Sequence, residues 1–231
     1  MKVIGLIGGM SWQSTIPYYR IINEAVSKRL GGLHSARLLL YSVDFDEVEK
    51  LQRAGDWAAA GELLGRAAAL LQVAGADFLV LCTNTMHRVA PAIEAAVAIP
   101  LLHIADPTAD AIRGAGLTRV ALLGTRFTME QAFYRQRLYR RGIDVLLPAP
   151  AERELVHRVI YDELCRGQLH DASRAEYRRI IKRLVAAGAQ AVILGCTEIS
   201  LLIDAGDAAV PLFDTTQLHA AKAAEWALAD G

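Results

Sequence analysis

Residues 74–83, AGADFLVLCT, align without a gap to residues 187–196, AGAQAVILGC. Two further pairs of segments match in the same order and at similar spacing: IGLIGG (4–9) with VALLGT (120–125), and IPL (99–101) with VPL (210–212). Three ordered matches indicate that one folding unit occurs twice in the chain. The repeat therefore predicts two similar halves, with a cut near residue 115.

Around these matches, short apolar runs alternate with stretches that have helical spacing. The predicted strands are Val3–Ile7, Leu38–Val43, Phe78–Leu81, Leu101–Ile104, Val120–Leu123, Val145–Leu147, Ala191–Leu194 and Val210–Phe213. The predicted helices include Pro17–Leu30, Trp57–Val73, Leu155–Cys165 and Tyr177–Ala187. Such alternation is typical of βα units with parallel sheets. The sequence thus predicts an α/β protein with two pseudo-symmetric domains, each a small parallel sheet of about four strands flanked by helices.

Composition narrows the function classes. The 231 residues are 53% hydrophobic and 22% charged, and 25 basic side chains balance 25 acidic ones. Such a chain can form a packed core, and its zero net charge argues against nucleic acid or an anionic membrane as partner. No apolar run approaches the ~18 residues of a membrane span, and the N-terminus has no signal-peptide layout. The expected compartment is the cytosol.

The three cysteines, Cys82, Cys165 and Cys196, are too few for a disulfide framework. They form no CxxC pair, and the chain has no HExxH motif, so no metal site is expected. In a reducing compartment each is either a packed apolar residue or a reactive thiol. For Cys82 and Cys165 we expect packing.

Ligands of parallel sheets bind at the loops that follow the carboxyl ends of strands. The repeat pairs the loop at Thr83 with the loop at Cys196. It also pairs Gly8-Gly9-Met10-Ser11 with the region of Thr125 and Thr128. Two facing halves would form an interdomain cleft with Thr83 and Cys196 on opposite sides of one ligand. Alternation along the strand then directs Cys82 into the core.

Each of these loops has a functional and a structural interpretation. Cys196 follows an apolar strand and precedes a helix start, a setting that stabilises a thiolate, but it could also be a buried residue in a tight turn. The Thr83-Asn84-Thr85 segment suits carboxylate binding, and it also suits helix capping. The Gly8-Gly9 turn lacks the GxGxxG spacing of a dinucleotide site and fits a small anionic ligand better.

Three arginines could hold a second carboxylate, namely Arg53, Arg126 and Arg166, of which Arg166 could instead be a helix C-terminal charge. The histidines His87, His103 and His219 are interpreted as polar residues that are satisfied near strand or helix ends.

Five segments together resemble the aspartate/glutamate racemase family: GLIGGMSWQST (5–15), TNTMH (83–87), IYDELCRGQL (160–169), GCTEI (195–199) and FDTTQLHA (213–220). The resemblance implies cofactor-independent racemisation of an acidic amino acid, without pyridoxal phosphate or metal, by a homodimer. It also implies that the chain crosses between domains near Ile99 and Val210. The domains would then be 1–98 with 210–231, and 99–209.

The resemblance further implies roles for individual residues. Cys196 would be one acid/base group, and Arg166 would meet the side-chain carboxylate of the substrate. The other residues expected to line the substrate pocket are Met10, Ser11, Gln52, Asn84, Thr85, Thr125, Thr128, Thr197 and Glu198.

One position departs from the family pattern, because Thr83-Asn84-Thr85 stands where members carry Cys-Asn-Thr. A threonine hydroxyl can donate a proton but is a poor base at neutral pH. The resemblance is therefore to the subgroup specific for L-aspartate and L-glutamate, with Cys196 as thiolate base and Thr83, or water that it positions, on the opposite face. Two alternatives stay open: a single-cysteine decarboxylase or maleate-type isomerase, and a non-catalytic protein that binds acidic amino acids.

Overall fold

The apolar runs and the stretches of helical spacing form strands and helices in the computed structural model, which describes residues 1–229. The chain divides into two units, one of residues Met1–Ile104 with the segment that begins at His219, the other of Ala105–Leu218. The elements up to this division are β1 (Ile4–Gly8), α1 (Trp12–Leu30), β2 (Leu38–Ser42), α2 (Phe45–Ala54), α3 (Trp57–Val73), β3 (Phe78–Leu81), a 3-10 turn (Thr85–Val89), α4 (Ala90–Ala95) and β4 (Leu101–Leu102).

The remaining elements begin at the first residue of the second unit. They are α5 (Ala105–Gly114), β5 (Arg119–Gly124), α6 (Arg126–Glu130), α7 (Ala132–Tyr139), β6 (Asp144–Leu146), α8 (Pro150–Asp162), a 3-10 turn (Leu164–Arg166), α9 (Asp171–Ala186), β7 (Val192–Gly195), α10 (Ile199–Leu202), a 3-10 turn (Ala205–Asp207), β8 (Leu212–Asp214) and α11 (Thr215–Leu228). Helix α11 begins in the second unit and ends in the first.

The two sheets have the same topology, as the sequence repeat predicts. Their strand orders are β2-β1-β3-β4 and β6-β5-β7-β8, and all pairs are parallel. The registers also correspond: Gly5 pairs with Leu79 in the first sheet, and the matching residues Ala121 and Val192 pair in the second. The predicted α/β fold of two four-stranded parallel sheets is confirmed.

Alternate residues of the first sheet enter two different cores. On one face, Leu6 of β1 and Val80 of β3 pack with α1 and α11. On the other face, Ile7 of β1 and Leu81 of β3 pack with α2, α3 and α4. Burial on both faces explains why these strands are continuous apolar runs and not alternating ones.

The observed division lies later in the chain than the boundaries expected from the resemblance, 1–98 with 210–231 and 99–209. Residues 99–104 stay with the first unit because β4 pairs with β3, with Leu79 opposite Leu101. Residues 210–218 stay with the second unit because β8 pairs with β7, with Val192 opposite Leu212. Each unit therefore keeps its fourth strand.

Among residues 1–229, no helix has both the length and the apolar character needed to span a lipid bilayer.

Candidate active site

In the first unit, the loop after β1 is fixed by a close turn against β2. Gly9 has a φ of +93°, and a Cβ there would lie 2.3 Å from the carbonyl oxygen of Val43, so the turn requires glycine. The Gly9 backbone N–H donates to Thr15 Oγ1 at 2.9 Å, and that hydroxyl donates to the Ser11 carbonyl at 2.9 Å. Ser11 also caps α1 by accepting from the Ser14 N–H at 3.4 Å.

The loop after β3 leaves the sheet beside the loop after β1, because β1 and β3 are adjacent and parallel. It carries Thr83, Asn84 and Thr85, all buried. The Thr83 carbonyl is held at 2.7 Å by His87 Nδ1, one turn later in the chain. The structure therefore places the three predicted polar residues of this loop at the carboxyl edge of the first sheet.

Gln52 and Met10 have different surroundings. The Gln52 amide lies 2.9 Å from the Met86 sulfur, so α2 is bound to the turn that follows Thr83. Met10 packs in the same apolar core as Ile7 and Leu81. Both were expected to line the substrate pocket, and both are buried at the carboxyl side of the first sheet.

Cys82 points into the core between the sheet, α1 and α11, as alternation along the strand predicts. It is fully buried, and burial raises the pKa of its thiol far above the ordinary value. A thiol that keeps its proton among apolar side chains is a packing residue.

We expect Cys82→Ala to lower the free energy of unfolding by about 1 kcal/mol, the cost of a small cavity in a packed core. The steady-state rate should change less than twofold. Denaturant unfolding and an activity assay on the same preparation measure the two effects. A folded variant with a large loss of rate would show that the Cys82 thiol, and not the Thr83 hydroxyl, takes part in catalysis.

In the second unit, Cys196 follows β7 and contacts a buried carboxylate. Its Sγ donates to Glu198 Oε2 at 2.9 Å, and the Thr197 hydroxyl donates to the same oxygen at 2.7 Å. The Cys165 thiol lies 3.7 Å from Glu198 Oε1. Glu198 is only 2% exposed, so one buried carboxylate receives three neighbouring donors. Sequence reasoning assigned Cys165 to packing and missed this contact, for which no local pattern exists.

The surroundings of Cys196 raise the pKa of its thiol. Burial raises its pKa well above the usual range, and the negative charge of Glu198 raises it further, while the Glu198 backbone N–H acts in the opposite direction. The expected stabilisation of a thiolate by a helix start is thus reversed, because the sulfur is buried and Glu198 beside it is negatively charged. The Glu198 carboxylate is in hydrogen-bond contact with this thiol.

Thr125 and Thr128 lie after β5, which is adjacent and parallel to β7. Thr125 caps α6 by accepting from the Thr128 N–H at 3.3 Å, and the two hydroxyls are 3.2 Å apart. The strand ends approach closely there, since a Cβ on Gly124 would lie 2.8 Å from the carbonyl oxygen of Gly195. The second unit therefore brings Thr125, Thr128 and the Cys196 segment to one edge of its sheet.

The three candidate cations have different surroundings. Arg53 pairs with Glu49 at 2.8 Å, and Arg126 pairs with Glu154 at 3.5 Å. Arg166 is exposed at the end of the 3-10 turn that also carries Cys165, and within residues 1–229 no ion pair of its side chain is formed.

Comparison with known proteins identifies the family of the chain. A family model described as Asp/Glu/Hydantoin racemase matches residues 7–223. A solved Asp/Glu racemase candidate from Yersinia pestis is 59% identical, with a TM-score of 0.92, over 99% of this chain and 100% of that one. An aspartate racemase homologue from Pyrococcus horikoshii OT3 is 35% identical, with a TM-score of 0.84 and the same coverage.

A curated relative, the broad specificity amino-acid racemase RacX of Bacillus subtilis (strain 168), is 22% identical over 93% of both chains. The family match spans both units and includes the segments of Thr83, Arg166 and Cys196. The chain belongs to the Asp/Glu/Hydantoin racemase family.

Proposed function

We propose that this protein is an amino-acid racemase that converts the L form of aspartate or glutamate to the D form by proton transfer at the α-carbon. The observation that carries the proposal is the Cys196 thiol, which donates to the buried Glu198 carboxylate at the carboxyl end of β7. Membership of the Asp/Glu/Hydantoin racemase family supports the same reaction, as do the two relatives described as an Asp/Glu racemase candidate and an aspartate racemase homologue.

The reaction begins with the proton of Cys196. It passes from Sγ to Glu198 Oε2, which leaves a thiolate and a neutral carboxylic acid. The thiolate removes the α-proton of the L substrate, and the electron pair of the broken C–H bond stays on the substrate as a planar carbanion. Hydrogen-bond donors around the α-carboxylate stabilise the charge that develops there.

The second half of the reaction delivers a proton to the opposite face of the carbanion. We assign this step to the Thr83 hydroxyl, or to a water that it positions. The hydroxyl regains its proton from solvent, and Glu198 releases to solvent the proton that it took from Cys196, which restores the starting enzyme. A hydroxyl is an adequate donor to a strongly basic carbanion but a poor base at neutral pH. The mechanism is therefore asymmetric in its groups, with a sulfur on the L side and an oxygen on the D side.

The remaining polar residues are assigned to substrate binding. Arg166 pairs with the side-chain carboxylate, whose charge would otherwise be unfavourable near Glu198. The α-carboxylate and ammonium groups are bound by the hydroxyl, amide and carboxylate groups of Ser11, Gln52, Asn84, Thr85, Thr125, Thr128, Thr197 and Glu198, with Met10 against the apolar part of the substrate. No pyridoxal phosphate or metal enters the scheme, so activity should persist in the presence of a chelator and without added cofactor.

Thermodynamics sets a limit on the asymmetry. The two enantiomers have equal free energy, so kcat/KM for L→D must equal kcat/KM for D→L. Only kcat and KM individually can differ between the directions. A slow D→L turnover must therefore be matched by a low KM for the D enantiomer.

The test is proton NMR in deuterated water with each enantiomer of aspartate and glutamate. We expect loss of the α-proton signal together with formation of the opposite enantiomer, measured by chiral chromatography. Binding without α-proton exchange would show a binding protein, and loss of carbon dioxide would show a decarboxylase. Either result would refute the racemase proposal.

Thr83→Cys tests the second position. A thiol is a far better base than a hydroxyl at neutral pH, so we expect kcat for the D enantiomer to rise by roughly tenfold or more. By the equality above, kcat/KM should rise equally in both directions. The measurement is the initial rate from each enantiomer, with Thr83→Ser as the matched control that keeps a hydroxyl. Unchanged kinetics in Thr83→Cys would place Thr83 outside the catalytic pair.

The homodimer implied by the resemblance stays a prediction, which sedimentation velocity of the purified protein tests directly.

A further inference from the structure

His87 lies at the centre of a buried polar cluster in the first unit. Its Nδ1 is 2.7 Å from the Thr83 carbonyl oxygen, and its Nε2 is 3.1 Å from the backbone nitrogen of Ile104. The side chain is only 1% exposed. Both ring nitrogens are thus bound to backbone groups, one of them on the residue proposed to reprotonate the substrate.

The partners of His87 define its tautomer. The Ile104 N–H can only donate, so Nε2 must be the acceptor. The Thr83 carbonyl can only accept, so Nδ1 must carry the proton. A doubly protonated ring would place its own N–H against the N–H of Ile104. Two donors that face each other in a buried site are energetically unfavourable. His87 therefore works as a neutral ring with its proton on Nδ1.

The same cluster includes both points at which the chain passes between the units. His103 and Ile104 are the last residues before the chain leaves the first unit, and His219 is the first residue after its return. The His87 ring centroid lies 4.4 Å from that of His103 and 5.8 Å from that of His219. His219 is itself fixed, since Nε2 is 2.8 Å from the Leu102 carbonyl and Nδ1 is 2.9 Å from the Tyr18 hydroxyl.

We propose that His87 is a positioning residue for Thr83: it binds the Thr83 backbone to the two crossover segments of the first unit and so sets the place of the hydroxyl. The inference rests on the proposed racemase function. It assigns no proton transfer to His87 itself. Proton delivery depends steeply on donor placement, and a shift of about 1 Å can cost 10²-fold in rate.

Two substitutions separate the two bonds. In His87→Asn the amide N–H can replace Nδ1–H and keep the bond to Thr83, while the bond to Ile104 is lost. In His87→Gln the longer side chain can place its carbonyl oxygen near the Nε2 position and keep the bond to Ile104, while the bond to Thr83 is lost. His219→Gln is the matched control, because it disturbs the cluster but leaves both His87 bonds in place.

The readout is the ratio of D product formed to α-proton exchanged in recovered L substrate, measured in deuterated water. Exchange on the L side needs Cys196, whereas D product also needs Thr83. We expect His87→Gln and His87→Asn each to lower this ratio, roughly tenfold or more, because each breaks one of the two bonds that join Thr83 to the crossover segment, with His219→Gln within twofold of wild type. In a Thr83→Ala background, His87→Gln should lower the ratio no further, because the group that it positions is absent.

Equal ratios in His87→Gln and wild type would overturn the inference, and so would an undiminished effect in the Thr83→Ala background. Absence of α-proton exchange in wild type would instead refute the racemase proposal, so the two failures are distinguishable. If His87→Gln does not fold, nitrogen-15 NMR of the imidazole rings in wild type decides. A neutral Nδ1–H tautomer for His87 is expected, and an Nε2–H tautomer or a protonated ring would contradict the proposed bonds.

Discussion

Cys196→Ser is expected to lower the racemisation rate by roughly 10³-fold or more, and to abolish α-proton exchange from the L enantiomer to the same extent. A serine hydroxyl ionises far above a thiol, and the same buried surroundings that raise the pKa of Cys196 would disfavour an alkoxide still more. The fold should be retained, because serine can donate the same hydrogen bond to Glu198. Proton NMR in deuterated water measures the exchange, and thermal unfolding verifies the fold.

Cys82→Ala is the matched control for this experiment. It removes a thiol from a packed core position of the first unit and leaves the Glu198 contacts intact. Loss of exchange in Cys196→Ser alongside normal exchange in Cys82→Ala identifies the sulfur that acts on substrate. A folded Cys196→Ser variant with wild-type exchange would remove Cys196 from the mechanism.

Glu198→Gln should have the next largest effect, a loss on the order of 10²-fold in kcat at neutral pH. Glutamine keeps the size of the side chain and can still bind the Thr197 hydroxyl, but it cannot take a proton from Cys196. Steady-state kinetics from both enantiomers measure the loss. Glu94→Gln, an exposed carboxylate on α4, is the control for charge removal alone.

The pH profile gives this prediction a second signature. In the wild type the proton of Cys196 passes to Glu198 and stays on the enzyme, so the active form carries as many protons as the resting form, and kcat/KM needs no increase with pH through the alkaline range. In Glu198→Gln the proton must leave to solvent, and burial raises the pKa of the thiol, so kcat/KM of the variant should increase with pH through the alkaline range. A variant profile that matches the wild-type profile would show that Glu198 does not take the proton of Cys196.

Most of the fold follows from the sequence because the central strands of both sheets, β1 and β3 in one and β5 and β7 in the other, are buried apart from Arg119. Such strands are uninterrupted apolar runs, and all eight predicted strands occur with ends within two residues of the predicted ones. The largest differences are of two residues: β4, predicted to extend to Ile104, ends at Leu102, and β8, predicted to begin at Val210, begins at Leu212. His103 and Ile104 lie beyond the end of the strand because they contact His87. These contacts join residues at least 16 positions apart, so no local sequence pattern predicts them.

The candidate site was accessible to sequence reasoning only as a set of loops. The repeat located the loops of Thr83 and Cys196, since loops after matching strands occupy matching edges. It could not reveal that Glu198 receives the Cys196 thiol or that Cys165 contacts the same carboxylate. The sequence also could not predict that the pKa of Cys196 is raised, because a strand end next to a helix start indicates nothing about how deeply the sulfur is buried.

The shared register of the two sheets has a historical consequence. Identical strand order with matching register is what fusion of a duplicated ancestral gene would produce, and under that history Thr83 and Cys196 descend from a single codon. The difference between the oxygen of one and the sulfur of the other then arose by divergence after the fusion. Each half of the molecule is in this sense a natural variant of the other, preserved within one polypeptide.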